Sequence, residues 1–471
     1  MKMKFLSVFL AIVMLTALTA CGDSPTPDGP AVDLPSTESS AQESASSNGQ
    51  TMQTNETLSL FNTDATLAET VLMDENGIKI TATDLTYTAY SVDLALTIEN
   101  NSGQDLTFVS GSLGYSCNSV NGYMISDGYL NCDVANGKKA NDTISFSCDA
   151  LKLYGIKEIA DMEIGFSMTD DAYNTTYSGP RQLKTSVFET HDYETDHYQE
   201  TITSGAAMST FGYEMKSFSQ DTLYDQNGVA LRSSGVMTNR DGETALLLEL
   251  ENTTGNMVYL STSDITINGL LINSSTWSND AINPGKRCIV DVNLASVIDP
   301  ACGEVYGVTE VGAVSLSLSQ RNAEGVGIAE KTPIEIIVPD MSAAFDGSGT
   351  EVYNSNGVKM VLKTVMEDPS EYSSDLYVLL LAENSGGKTI SIDDAYGSLS
   401  VNGFMTDYSF SRQELGEGES GVLMIELWES SLEKNEIVSA SDIQEIEVGF
   451  EVKEGYKIID EPTVTLIFGQ G

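Results

Sequence analysis

Basic side chains are scarce in this sequence. Against 69 Asp and Glu there are 23 Lys and Arg, a formal charge of −46 over 471 residues. Nucleic acid is held by Lys and Arg on its phosphates, and anionic lipid surfaces attract basic clusters, so the deficit argues against both as electrostatic partners. Histidine is nearly missing: His191 and His197, both in "HDYETDH", are the whole supply. Any Ser-His or Cys-His nucleophile must draw on those two. No Gly-x-Ser-x-Gly elbow, H-E-x-x-H stretch or P-loop phosphate cradle occurs. Beyond the first twenty residues, no apolar run is long enough to cross a bilayer. Cysteines number six, and with Cys21 set aside the odd remainder is not a paired framework. Cys117 with Cys132, and Cys288 with Cys302, are the pairs that could close within one module, and free thiols are the alternative.

The excess of acids has two readings. One is binding of divalent cations or basic partners. The other, which we favour, is solubility for a chain displayed at a cell surface.

The first twenty residues, "MKMKFLSVFLAIVMLTALTA", read as a signal peptide. Lys2 and Lys4 precede an apolar stretch, Phe5 to Leu18, too short to span a membrane. Leu18-Thr19-Ala20-Cys21 resembles the bacterial lipobox, which implies cleavage after Ala20 and acylation of the Cys21 thiol. The expected membrane contact is that lipid anchor, whose chains sum their buried methylenes. Residues 21–57 follow as a Ser-, Thr- and Pro-rich tether with almost nothing to bury, expected to be disordered. The 36 residues after Cys21 have an average reach of about 30–35 Å on flexible-chain scaling.

The rest of the chain repeats at long period. "VLMDENGIKI" (71–80), "TLYDQNGVAL" (222–231) and "EVYNSNGVKM" (351–360) each lead into an apolar strand ending in Glu-Asn. Then come "SVNGYM" (119–124), "TINGLL" (266–271) and "SVNGFM" (400–405), a glycine turn, a penultimate strand, and a last strand introduced by Pro180, Pro333 or Pro462. Val92, Leu94, Leu96 and Ile98 alternate with Asp93, Ala95, Thr97 and Glu99, the period of a strand with one face in a core. The pattern predicts an all-β chain of three tandem immunoglobulin-like β-sandwich modules, each with one short helix. An Asp cap is expected for the helix in "SCDALKLYG" (147–155) and a Ser cap for that in "ESSLEKNE" (429–436). The modules occupy 58–186, 222–339 and 351–471, with an acidic linker at 187–221 and a second linker at 340–350. At this size each is expected to fold as an independent bead.

Residues 99–103 (Glu-Asn-Asn-Ser-Gly), "SVNGYM", "CDVANGKKANDTISF" (132–146) and "IADMEIGFSM" (159–168) resemble a domain of clostridial and related Firmicutes surface lipoproteins that carry repeated Ig-like modules. The resemblance implies the sandwich and the surface location, and it brings no catalytic residues.

Candidate sites are few. On a strand, His191 and His197 would lie about 20 Å apart. On a helix they would point to different sides. Only a tight loop could bring both to one ion with Asp192, Glu194 or Asp196, so an exposed linker is the expectation. Acidic pairs such as Asp170-Asp171 and Asp393-Asp394 do not recur at equivalent places, which argues against a glycosidase dyad. Calcium held by loop carboxylates is the one cofactor left open, although "DENG" (74–77) reads better as a hairpin turn. Tyr115, Tyr129, Tyr173 and Tyr177 of the first module are the candidate ligand contacts, with half-buried strand tyrosines as the alternative. The expected function is non-enzymatic: adhesion, ligand binding or spacing at the outer face of a Gram-positive cell membrane, with a wall glycan or surface protein as partner. A solute-binding or wall-glycan-binding lipoprotein is the alternative, and a wall-active hydrolase a more distant one. "SVNGYM" and its two counterparts are expected to be a turn used three times, not a ligand site, because Tyr, Leu and Phe after the glycine share bulk but no polar chemistry.

Overall fold

The computed structural model describes residues 61–111, 118–273, 278–294, 300–368 and 373–468. They form the expected all-β architecture, three sandwich-like units in series. Each unit has a front sheet of four antiparallel strands. In the first these are Thr70–Glu75, Ile78–Tyr87, Ser91–Asn100 and Lys138–Ser147. The same order recurs as Asp225–Gln226, Val229–Asn239, Thr244–Asn252 and Lys286–Asn293, and as Thr350–Ser355, Val358–Glu367, Leu376–Asn384 and Ser420–Leu427. The opposing sheet of each unit is built around its penultimate strand: Asp161–Asp170, Ala313–Arg321 or Glu445–Glu454. The alternation read from residues 91–100 is met: Val92, Leu94, Leu96 and Ile98 are buried among Phe108, Phe146 and Phe166.

Asn-Gly pairs do the same two jobs in every unit. Asn76, Asn227 and Asn356 have φ of 52°, 49° and 53°, and each is followed by a positive-φ glycine, as a two-residue hairpin requires. A Cβ on Gly77 would also meet Asn101 O at 2.5 Å. "DENG" is thus the hairpin between the first two strands. Asn121, Asn268 and Asn402, with φ of 48°, 53° and 51°, turn the second hairpin.

Their side chains clamp that hairpin to the penultimate strand. Asn121 Nδ2 donates to Glu158 O at 2.8 Å while its Oδ1 accepts from Ala160 N at 2.8 Å. Asn268 repeats this on Glu310 O and Gly312 N at 2.8 and 2.9 Å. Asn402 does so on Asp442 O and Gln444 N at 2.9 and 2.8 Å. The Asn closing each Glu-Asn strand is another threefold device: Asn100, Asn252 and Asn384 are buried and donate to main-chain carbonyls of the loops they face.

Two expectations need correction. The modules are not independent beads. The strand after the first clamp, Tyr123–Ile125, pairs in parallel with Lys286–Asn293 of the second front sheet. The strand after the second clamp, Leu270–Asn273, pairs in parallel with Ser420–Leu427 of the third. Apolar packing crosses the same seams: Met237, Ala245, Leu247 and Ile289 join the first module's core, and Val361, Leu379 and Leu381 join the second's. Each fully buried Leu or Ile contributes about 1.5–3 kcal/mol, so separating the modules would expose several such terms at once.

Nor is 187–221 a bare linker. It forms helices His197–Ile202 and Gly205–Phe211 and the strand Tyr213–Ser219. Tyr198, Ile202, Ala207 and Tyr213 sink into the first module's core, which outweighs the solvation of the acidic residues around them.

Short helices occur in all three units, at Cys148–Leu153, Pro300–Tyr306 and Glu429–Leu432. Their caps differ from expectation. Ser147, not an Asp, accepts from Ala150 N in the first, and Trp428 precedes the third with no side-chain cap. Cys132 and Cys148 are buried free thiols, and burial pushes the Cys132 thiol up to about 11. Cys117 and the Cys302 side chain lie outside the described residues.

Candidate functional site

The seam between the first two modules holds a network of buried and half-buried charge. The Asn121 clamp sets the direction of Tyr123, and Arg287 N donates to Gly122 O at 2.9 Å as the two strands meet. That register places the Arg287 guanidinium over the Tyr123 ring, 5.7 Å from its centroid. Arg287 Nη1 donates to the Tyr123 hydroxyl at 3.1 Å and to Asp196 Oδ2 at 2.7 Å. Its Nε lies 3.5 Å from Glu251 Oε1. Asp196 has a second task, since its Oδ1 accepts from Gln199 N and caps the helix His197–Ile202. One arginine therefore joins a hairpin strand, a helix start and the next module's front sheet. A second ion pair crosses the seam nearby, from Lys286 Nζ to Glu163 Oε1 at 2.7 Å.

Below Arg287 lies Glu249, fully buried on the front-sheet face turned to the first module. Its Oε2 accepts from Gln199 Nε2 at 2.6 Å and Ser233 Oγ at 2.8 Å. Its Oε1 stands 3.6 Å from Arg287 Nη1, too far for a hydrogen bond. Burial pushes this carboxyl up to about 7 against those stabilising contacts.

A cavity of about 170 Å³ opens beside the network, lined in part by Tyr123, His191, Tyr193, His197 and Arg287. The expectation for the two histidines is overturned here. The loop before the helix turns back on itself, and the imidazole centroids lie 6.1 Å apart. His191 is largely buried, with Nδ1 2.9 Å from Glu158 Oε1, and Tyr193 packs edge-on against its ring. The His191 contact, helped by Asn62, holds the Glu158 carboxyl below its ordinary value. His197 Nε2 lies 3.3 Å from Asp192 O.

His191 thus has Nδ1 on a carboxylate, and His197 has Nε2 on a main-chain carbonyl. The Thr195 hydroxyl near them is committed to Asp192 Oδ2 at 2.6 Å. Among the described residues no group of three or more His, Cys, Asp or Glu is placed to hold a metal ion.

Of the residues singled out in the sequence, Ala20, Cys21 and Tyr115 lie outside the described residues. Tyr129, Tyr173 and Tyr177 are all exposed. Tyr177 pairs with Ser167, Ser167 with Val109 and Val109 with Asn131, two residues after Tyr129. Tyr129 directly precedes the strand Leu130–Val134, which lies three strand spacings, about 14 Å, across the sheet from Tyr177. Tyr173 stands at the turn between the strands Asp161–Asp170 and Thr175–Lys184, with φ 62°. None of the three lines the seam cavity.

Of the residues that build the seam, Asp196 is among the candidate ligands of the histidine loop, while Arg287 and Glu249 carry no site signal in the sequence. Tyr123 stood in the repeated phrase and Arg287 in the glycine turn "PGKRCIV", while Glu249 is the one acid set among apolar neighbours in "ALLLELEN".

No family model and no curated protein sequence matches the chain. Among solved structures, an exo-β-D-glucosaminidase is 7% identical over 86% of this chain and 79% of its own, with a TM-score of 0.17. The exo-chitosanase of Amycolatopsis orientalis is 7% identical over 85% and 78%, with a TM-score of 0.14. Escherichia coli alpha-2-macroglobulin is 8% identical over 83% of this chain and 33% of its own, also with a TM-score of 0.14. At such scores none of them bears on the activity of this chain.

Proposed function

We propose that the chain is a non-enzymatic lipoprotein of a bacterial surface. Cys21 carries the lipid, the segment 21–57 provides reach, and three fused sandwiches present a stiff spacing or binding array outside the membrane. The observation that supports this reading is the joint between modules. One hairpin strand pairs with the next module's front sheet, with the same clamp and the same register, at both seams. A spacer needs joints that do not bend, and strand pairing backed by buried charge at Arg287 supplies one. The wall-glycan reading rests on Tyr129 and Tyr177, two exposed rings of the first module.

Labelled palmitate fed to cells expressing the full chain tests the anchor. Label should enter the protein and disappear with Cys21→Ala, which should also release the chain from the membrane fraction. Unchanged membrane retention of that variant would overturn the proposal. For the glycan reading, the Tyr129→Ala, Tyr177→Ala double variant should lose binding to purified wall glycan, and equal retention would remove it.

A further inference from the structure

The joint used twice inside the chain is left open at both of its ends. Tyr123, Met124, Leu270 and Leu271 are each 7% exposed or less, with Met124 in the second module's core and Leu271 in the third's. The equivalent strand of the third module, Phe404–Met405, is 53% and 64% exposed at its two residues. Among the described residues it pairs only with Ser400–Val401, across the Asn402-Gly403 turn. At the other end, Lys138–Ser147 is the edge of the first front sheet and, among the described residues, pairs only with Ser91–Asn100. Its counterparts, Lys286–Asn293 and Ser420–Leu427, are the two strands that receive a hairpin.

The two open ends match in register and charge. At the first seam Tyr123 lies opposite Arg287, and at the second Leu270 lies opposite Ser420. In the first module the position of Arg287 is held by Lys139: Lys139 pairs with Glu99 as Arg287 pairs with Glu251. Phe404 would therefore meet Lys139, a cation beside an aromatic ring as in the Arg287–Tyr123 pair. The ion pair also has its counterpart. Glu163, which holds Lys286, sits opposite Ser119, and Glu447 sits opposite Ser400 in the same way. Lys286 pairs with Asn252, and Lys138 with Asn100. Glu447 and Lys138 thus occupy the positions of Glu163 and Lys286, and Lys138 and Lys139 are both exposed.

We propose that the Phe404–Met405 strand docks on the Lys138–Ser147 edge of a second copy of this chain, by parallel strand addition, with Glu447 facing Lys138. The contact is head-to-tail, so it leaves one open end of each kind and propagates instead of closing as a dimer. It is weaker than the internal seams. The outer face of the first front sheet carries Asp93 and Thr97, whereas the third module's Leu379 and Leu381 are packed into the second module's core. The association is reversible on that account.

Sedimentation of the full chain carrying Cys21→Ser, at about 0.15 M salt where the general repulsion is screened, tests this. The mass should rise continuously with concentration past that of a dimer, and Phe404→Lys should hold the chain monomeric. Lys138→Glu and Glu447→Lys should each weaken the rise, and the two together in one chain should restore it. In a mixture of Phe404→Cys and Lys139→Cys chains, oxidation should link one to the other, while Phe404→Cys alone should not link to itself. A monomer at every concentration, a mass that stops at dimer, association indifferent to Phe404→Lys, or self-linking of Phe404→Cys would each overturn the proposal. An outcome in which only a different sandwich protein occupies the Phe404 strand would do the same.

Discussion

Arg287 of the second module and Tyr123 of the first are strand partners. Their chains are joined by a 2.9 Å bond from Arg287 N to Gly122 O, and the guanidinium donates to the Tyr123 hydroxyl at 3.1 Å. Three carboxylates stand around that contact: Asp196 at a helix start, Glu251 on the neighbouring strand and Glu249 beneath. Removing the arginine leaves Asp196 and Glu249 without their cation in a partly closed space. Arg287→Ala should lower the unfolding free energy by about 3 kcal/mol or more, measured by urea denaturation of the full chain. Arg287→Lys keeps the charge but cannot span Asp196, Tyr123 and Glu251 together, so it should fall between.

Glu249 makes the seam sensitive to pH. Its folded value of about 7 lies above the ordinary 4.5, so between those limits the folded chain binds more protons than the unfolded one. Stability from this group is then present at the acid end, falls as pH rises from 4.5 to 7, and levels off above. The loss is about 3 kcal/mol at most by linkage. Glu249→Gln should flatten that portion of a stability–pH curve and raise stability at pH 8. A curve unchanged by the substitution would exclude Glu249 as its source.

The repeated Asn-Gly phrase separates into backbone and side-chain effects. Asn268→Gly keeps the left-handed turn but gives up the bonds to Glu310 O, Gly312 N and Ala313 N. Asn268→Ala gives up both the bonds and the conformational ease. The alanine variant should lose about 2–4 kcal/mol, and the glycine variant about 1 kcal/mol less. Thermal unfolding of the two variants side by side reads the difference.

Much of this fold could be read directly from residue patterns. Period-two alternation in 91–100, the Asn-Gly hairpins and the order of landmarks sufficed for three all-β modules, because each is set by local geometry. The fusion of the modules was written less plainly. In "ALLLELEN" Leu246, Leu247 and Leu248 are consecutive, and in "VLLLAEN" Val378 to Leu381 are too. Such runs mark strands buried on both faces, while the first module keeps Asp93 and Thr97 on its second face. That contrast distinguishes a front sheet covered by a neighbour from one that is not. The approach of His191 to His197 was beyond reach, since it depends on a loop whose path is fixed by Glu158 and by Tyr198 in the core, far away in sequence or on the next element. Arg287 and Asp196 likewise meet only because the hairpin and the helix are brought to one seam.

Amide hydrogen exchange at Arg287 is the most direct test of the claim that the modules are fused by strand pairing. Its N–H has its hydrogen bond across the seam, on Gly122 O, and so reports on that joint. In the full chain it should exchange as slowly as the amides of the Thr244–Asn252 strand beside it. Exchange at the rate of an open sheet edge, with both modules still folded, would contradict the account.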